Sequence, residues 1–233
     1  MSTPTRSARG PLLAALLTTL AVTALSYSLP DNLAATGVGL AFLAATYLLA
    51  LRSDSEPGRF GLSLGGLLEP HPLSPARLGR EAALALGWGV GAALLIFPAF
   101  WFGWLAWWKP PHEFSAVWPA SPSDEVLGQL LVIALPEEAF YRGYLQTSLD
   151  QAFRPKWRLL GALVGPGLLL TSVIFALGHL ATDFNPNRLA VFFPSLVFGW
   201  LRARTGGIGA PLVFHALANL LTAFLARSYG LAG

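Results

Sequence analysis

The chain has 233 residues, 54% of them hydrophobic and only 12% charged, with a formal net charge of +3. A soluble domain carries roughly twice that charged fraction, and a mean hydropathy of +0.56 points the same way. The small positive balance is better explained by loop arginines than by nucleic acid, and the absence of cysteine excludes disulfides, thiolate metal sites, a cysteine nucleophile and a lipidated cysteine anchor.

Apolar runs long enough to cross a bilayer recur along the chain. They predict an all-α, polytopic transmembrane bundle of about seven spans, a single integral membrane domain over 1–233. In chain order the spans fall at about 11–29, 32–51, 82–106, 126–149, 159–180, 189–201 and 207–226. The sixth is short, so it is tilted or partly re-entrant. The stretch 60–69, FGLSLGGLLE, is too short to cross and reads as interfacial. Arg6 and Arg9 before an apolar stretch resemble a signal peptide, but the run is long for one and six more spans follow, so it reads as a retained helix.

Loop charge sets the orientation. Eleven basic residues fall on one side: Arg6 and Arg9, then Arg52, Arg59, Arg77 and Arg80, then Arg154, Lys156 and Arg158, then Arg202 and Arg204. Only Lys109, Arg188 and Arg227 fall on the other. The positive-inside rule puts the N-terminus in the cytoplasm and the C-terminus outside. The expected location is a bacterial inner membrane. Trp101, Trp104, Trp107, Trp108 and Trp118 cluster at the outer end of the third span, as in an aromatic belt.

The fourth span carries charge where a bilayer penalises it, in ALPEEAFYRG from Ala134 to Gly143. One charged residue near the bilayer centre costs roughly 2.5–3.5 kcal/mol on insertion scales, and three facing lipid would cost on the order of 8–10 kcal/mol. They must face the bundle or a wet cavity. Glu138 and Arg142 are four residues apart, share a face and can pair. Glu137 is turned about 100° away and has Tyr141 as its neighbour one turn on. The pair reads as largely structural, and Glu137 as the carboxylate left for chemistry. Pro136 removes a backbone N–H and kinks a helix, freeing a carbonyl to line a cavity.

Two other spans carry polar groups at the same spacing: Phe175 with His179 in FALGHLA, and His215 with Asn219 in LVFHALANLL. A buried carboxylate can act as general base towards water. A histidine beside it can hold that water, and a second histidine with an asparagine can donate to a developing oxyanion. That set suits hydrolysis of an amide. A zinc site on Glu137, His179 and His215 is the alternative for the same residues, although HExxH is absent. Thr171 and Ser172 lie about two turns from His179 and are poor candidates for a nucleophile.

These motifs resemble the CAAX protease and bacteriocin-processing (CPBP, or Abi) family of intramembrane endopeptidases. Its pattern, EExxxR, FxxxH and HxxxN on successive motif-bearing helices, is met by Glu137–Glu138 with Arg142, Phe175 with His179, and His215 with Asn219. The run FGWLRARTGGIGAPLVFHALAN, Phe198 to Asn219, also looks like the family's approach to its last motif, and the resemblance covers about 125–226, the expected catalytic core. It implies a glutamic-type protease in which Glu137 and His179 activate water, His215 and Asn219 stabilise the oxyanion, and Glu138 with Arg142 orients the site. It implies no cofactor, with zinc the alternative. The implied partner is a membrane-anchored protein or peptide within the lipid bilayer, and no nucleic acid; the oligomeric state is open. The topology places the site towards the extracytoplasmic side, which suits cleavage of a C-terminal sorting tail, as in myxosortase-like members, better than prenylated cytosolic substrates. Some members are not enzymes but immunity or scaffold proteins, and that is the main rival. A proton-coupled transporter would call for internal repeats and paired broken helices, which the sequence lacks. His71 and His112, in proline-rich loops, read as solvent residues, and Asp183, Asn185 and Asn187 as turn formers.

Overall fold

The structure is a computed structural model and describes residues 7–52 and 56–231. Arg6, one of the basic residues used to orient the chain, lies outside them. The described residues form an all-α bundle of seven main helices. These are α1 (Arg9–Ser28), α2 (Asp31–Leu51), α3 (Pro75–Trp108), α4 (122–153), α5 (Pro166–Thr182), α6 (Phe192–Thr205) and α7 (Gly209–Ser228). Helices α1, α2, α3 and α7 are long and apolar enough to cross a membrane. Their outward leucines are left bare: Leu94 and Leu95 on α3 are 75% and 81% exposed, as lipid-facing side chains are. The protein is a membrane protein.

Local chemistry sets the helix ends. Pro75 opens α3 at a position where its missing N–H costs nothing, and the Ser74 hydroxyl accepts from Arg77 N. The same helix stops at Lys109, which adopts a left-handed conformation just before Pro110 and Pro111. Pro166 opens α5. The fifth span was expected from about residue 159, but its first residues form a hairpin, β1 (Trp157–Leu159) paired antiparallel with β2 (Ala162–Val164). Gly161, at a φ of +81°, makes that reversal possible; an apolar run of this length fits strand or helix equally well. Helix α6 has 14 residues, about 21 Å at 1.5 Å per residue, and a short 3₁₀ segment, Pro186–Val191, leads into it.

Helix α4 runs through Pro136 without breaking. Wider i→i+5 turns at Gly128–Ala134 and Ala139–Gln146 flank the proline and absorb the lost hydrogen bond. The Val132 carbonyl, one turn before Pro136, meets Gly39 on α2. A Cβ at Gly39 would stand 2.6 Å from that oxygen, so only glycine lets the helices approach this closely.

The two ends of the bundle are built differently. At the end that carries most of the basic loops, the first part of the segment read as interfacial turns its side chains into the bundle, while Leu67 and Leu68 stay exposed. Phe60 and Leu62 are 6% and 1% exposed, and Phe60 packs against Tyr144 of α4 with ring centroids 6.4 Å apart. Gly61 O accepts from Ile208 N at 3.0 Å, Arg59 bonds Gln151 at 3.0 Å, and Arg202 bonds Thr147 at 3.1 Å. Gly61 has a φ of +67°, and a Cβ there would fall 2.7 Å from the Arg202 guanidinium carbon. The segment was read as interfacial from its length; its inward turn depends on this long-range hydrogen bonding. At the other end the loop after α3 packs on the start of the C-terminal tail. Ser115 N donates to Ser228 O at 2.9 Å, and Arg227 pairs with Glu125 at 3.0 Å. Trp101, Trp104, Phe114 and Tyr229 form an aromatic cluster there. Trp104 is packed within it, while Trp107 and Trp118 remain exposed.

Candidate active site

Arg142 lies at the centre of the bundle, with no exposure to solvent. An arginine in this position needs partners on every side. Its Nη1 approaches Glu138 Oε1 at 3.2 Å, the i,i+4 contact that the spacing allows. Its Nη2 donates to Ser195 Oγ at 2.6 Å and to Ser195 O at 3.3 Å. The Phe175 and Phe198 rings cover the guanidinium, with centroids 4.5 and 4.8 Å from Cζ, contacts that contribute about 2 kcal/mol each when desolvated. The side chain therefore ties α4 to α5 and α6.

Glu138 has a second partner that sequence spacing does not reveal. His215 Nδ1 lies 2.9 Å from Glu138 Oε1. The carboxylate accepts, so Nδ1 carries the proton and Nε2 faces the other way. The ring is held further by stacking on Phe198, with centroids 4.5 Å apart and an interplanar angle of 16°. His215 Nε2 stands 3.7 Å from Glu137 Oε2. That is within ion-pair reach but too long for a hydrogen bond, and Glu137 Oε2 is buried without a hydrogen-bond partner. The adjacent glutamates thus have different surroundings: Glu138 is fully buried and doubly held, and the Glu137 side chain keeps 13% exposure.

His179 Nδ1 lies 3.0 Å from Phe175 O, one turn back on α5. A carbonyl only accepts, so Nδ1 again carries the proton, and Nε2 of the neutral ring is free to accept. Asn219 Nδ2 donates to Gln129 Oε1 of α4 at 2.9 Å. Glu137, His179, His215 and Asn219 all line one cavity of about 840 Å³. Its remaining walls are mostly apolar and come from all seven helices. It extends to Ser26, Ala34, Trp107, Trp108, Thr182, Arg188 and Ala226, all at the tryptophan-rich end. The basic-loop end does not contribute to its lining.

For zinc to bind, Glu137, His179 and His215 would have to converge on one point. Among the described residues no three His, Asp or Glu side chains do so, and the set as placed does not fit that ion. Thr171 and Ser172 are buried in α5, outside the cavity lining. His71 and His112 are exposed. Asp183 pairs with Arg188 at 2.8 Å, and the Asn185 side chain accepts from Asn187 N, the turn role expected for this loop.

Three contacts at the site were not foreseen: Glu138 to His215, Ser195 to Arg142, and Gln129 to Asn219. Gln129 had a visible signal, a lone amide within the apolar LGQLLVI of a spanning helix. Ser195 had none, because a serine in a helix bonds its own backbone equally well.

Residues 119–221 match the family described as Type II CAAX prenyl endopeptidase Rce1-like. No curated protein matches the chain, and no solved structure does. The matched segment contains Glu137, Phe175, His179, His215 and Asn219, which line the cavity, and the buried pair Glu138 and Arg142. Over these residues the chain is similar to the CAAX protease family of membrane endopeptidases.

Proposed function

We propose that the protein hydrolyses a peptide bond in or near a membrane-anchored segment by a glutamic mechanism, with 125–226 as its catalytic core. The observation that carries this reading is the unpartnered Glu137 Oε2 in a cavity shared with two imidazoles and an amide. A water held between the Glu137 carboxylate and His179 Nε2 loses a proton to Glu137 as its oxygen attacks the carbonyl carbon. The carbonyl oxygen becomes an oxyanion and accepts from Asn219 Nδ2 and from His215, which as an imidazolium donates from both nitrogens. Collapse breaks the C–N bond, and the proton on Glu137 passes to the leaving amine. Glu138 and Arg142 are positioning residues that fix the His215 ring.

The cavity's extension to the end opposite the basic loops supports a substrate that enters from outside the cytoplasm, such as the C-terminal sorting tail cut by myxosortase-like members. The matched family, described as prenyl endopeptidases, favours a second substrate, a prenylated tail, for which an apolar cavity also has room.

The test uses purified protein in lipid nanodiscs and a panel of internally quenched single-span peptides, with and without a lipid chain and with and without chelator. Wild type cleaves at least one peptide, chelator has no effect, and Glu137→Gln lowers kcat by about 10³-fold or more with an unchanged unfolding temperature. A Glu137→Gln protein that keeps its rate ends the glutamic mechanism. Loss of activity with chelator favours a metal. A wild type that supports its biological role without cleaving anything favours the scaffold reading.

A further inference from the structure

We infer that Gln129 is a positioning residue that acts through Asn219, presenting its amide to the cavity as a hydrogen-bond donor. This inference rests on the oxyanion role proposed for Asn219.

An uncharged amide in a spanning helix needs a partner, because lipid offers none. Gln129 finds one across the bundle, where its Oε1 accepts from Asn219 Nδ2 at 2.9 Å, and both side chains line the cavity. The Asn219 amide nitrogen carries two N–H groups and its oxygen carries none. With one N–H fixed on Gln129, the nitrogen is the end held at this wall of the cavity, and the second N–H is left for a ligand. Without Gln129 the amide can turn by half a rotation about its last torsion with little change in shape. It would then present an oxygen lone pair, which repels an oxyanion.

The wide turn of α4 makes this placement possible. Gln129 precedes Glu137 by eight residues, which in regular α-helix would rotate it about 80° from the Glu137 face. The i→i+5 segment Gly128–Ala134 lies between them. Taking up one extra residue there reduces the offset to about 20°. One helix thus supplies both the proposed base and the group that aims the oxyanion donor.

The experiment measures kcat and KM in nanodiscs, with the single-span peptide that wild type cleaves fastest as the probe. The variants are Gln129→Met, Asn219→Ala and the double variant, each checked for an unchanged unfolding temperature. Losing one oxyanion donor costs about 10²–10³ in kcat, and losing only its orientation should cost about tenfold. Gln129→Met is therefore expected to lower kcat about tenfold with KM within about twofold, and to add nothing in the Asn219→Ala background. Additive losses, or a Gln129→Met enzyme at the wild-type rate beside an impaired Asn219→Ala, overturn the inference alone. Asn219→Ala at the wild-type rate overturns the oxyanion reading and the inference with it. A second readout needs no Gln129 variant. The chain has four asparagines, Asn32, Asn185, Asn187 and Asn219, so ¹⁵N-asparagine labelling resolves the Asn219 side-chain amide. One of its protons should exchange with water more slowly than those of Asn185 and Asn187; exchange at the same rate for both protons also overturns the inference.

Discussion

The basic-loop end and the tryptophan-rich end of this bundle are made from similar apolar helices, yet one is closed and the other open. At the closed end Phe60 and Leu62 fill the space beside α4, and a smaller cavity of about 240 Å³ lies around Asp150 and Arg202. At the open end the aromatic cluster is drawn to one side, onto the tail at Tyr229, and a cavity of about 840 Å³ reaches down to Glu137. The closed end is held by side chains that fill space and by hydrogen bonds between loops. The open end leaves space between helices and puts its polar groups around it. Stability should therefore depend mainly on one end and catalysis on the other.

The largest effect expected is all-or-none. The described chain lacks cysteine, so single cysteines can be placed beside Lys109 and beside Lys156. An impermeant reagent added to intact cells should label the first and not the second. Labelling at Lys109 only after lysis would reverse the proposed orientation and direct the cavity to the cytoplasm. Next in size is Leu62→Ala, which removes a leucine that is 1% exposed. It should destabilise the protein by about 2–5 kcal/mol, read from denaturation in detergent, with kcat for a cleaved peptide within about twofold of wild type. A large loss of kcat at unchanged stability would show that the two ends are not separate. Trp107→Ala, at the mouth of the cavity, should do the reverse. It raises KM by about three- to tenfold, with unfolding unchanged, because it removes apolar contact area from the entrance. An unchanged KM would mean that substrate enters elsewhere.

The smallest effect concerns pH at the closed end. Asp150 lies just past 126–149, the stretch read from the sequence as the fourth span. Burial raises its carboxyl from 3.8 to about 6, against the opposing pull of the Arg202 guanidinium and the Gln146 side chain. The native state thus holds this proton more tightly than the unfolded chain does. The resulting stability is fully present below about pH 3.8 and is lost as pH rises through about 6. Asp150→Asn has no charge to desolvate. Its unfolding temperature should exceed that of wild type by a few degrees at pH 7.5, with the gap closing towards pH 4. Parallel curves would show that Asp150 is not desolvated in solution.

The parts of the site that follow from spacing within a helix were legible. Glu138 and Arg142 are one turn apart in sequence and 3.2 Å apart in space, because helix geometry fixes that neighbourhood whatever surrounds it. The separate surroundings of Glu137 follow from the same rotation. The hairpin at 157–164 and the inward fold of Phe60 and Leu62 were not legible. A short apolar run fits strand, helix or buried loop, and only long-range partners decide among them. Charge bias separated two groups of loops, and the topology it set already pointed the cavity away from the basic group, towards the end to which its lining extends.

By itself the sequence determined that this is a helical membrane protein with costly polar groups on three spans, since burying charge in a bilayer requires a reason that composition makes visible. The tertiary structure alone decided that His215 rests on Glu138 and that Gln129 holds Asn219. Those contacts join residues 77 and 90 positions apart. Their formation depends on how each helix is turned about its axis when it packs, and no local spacing encodes that rotation.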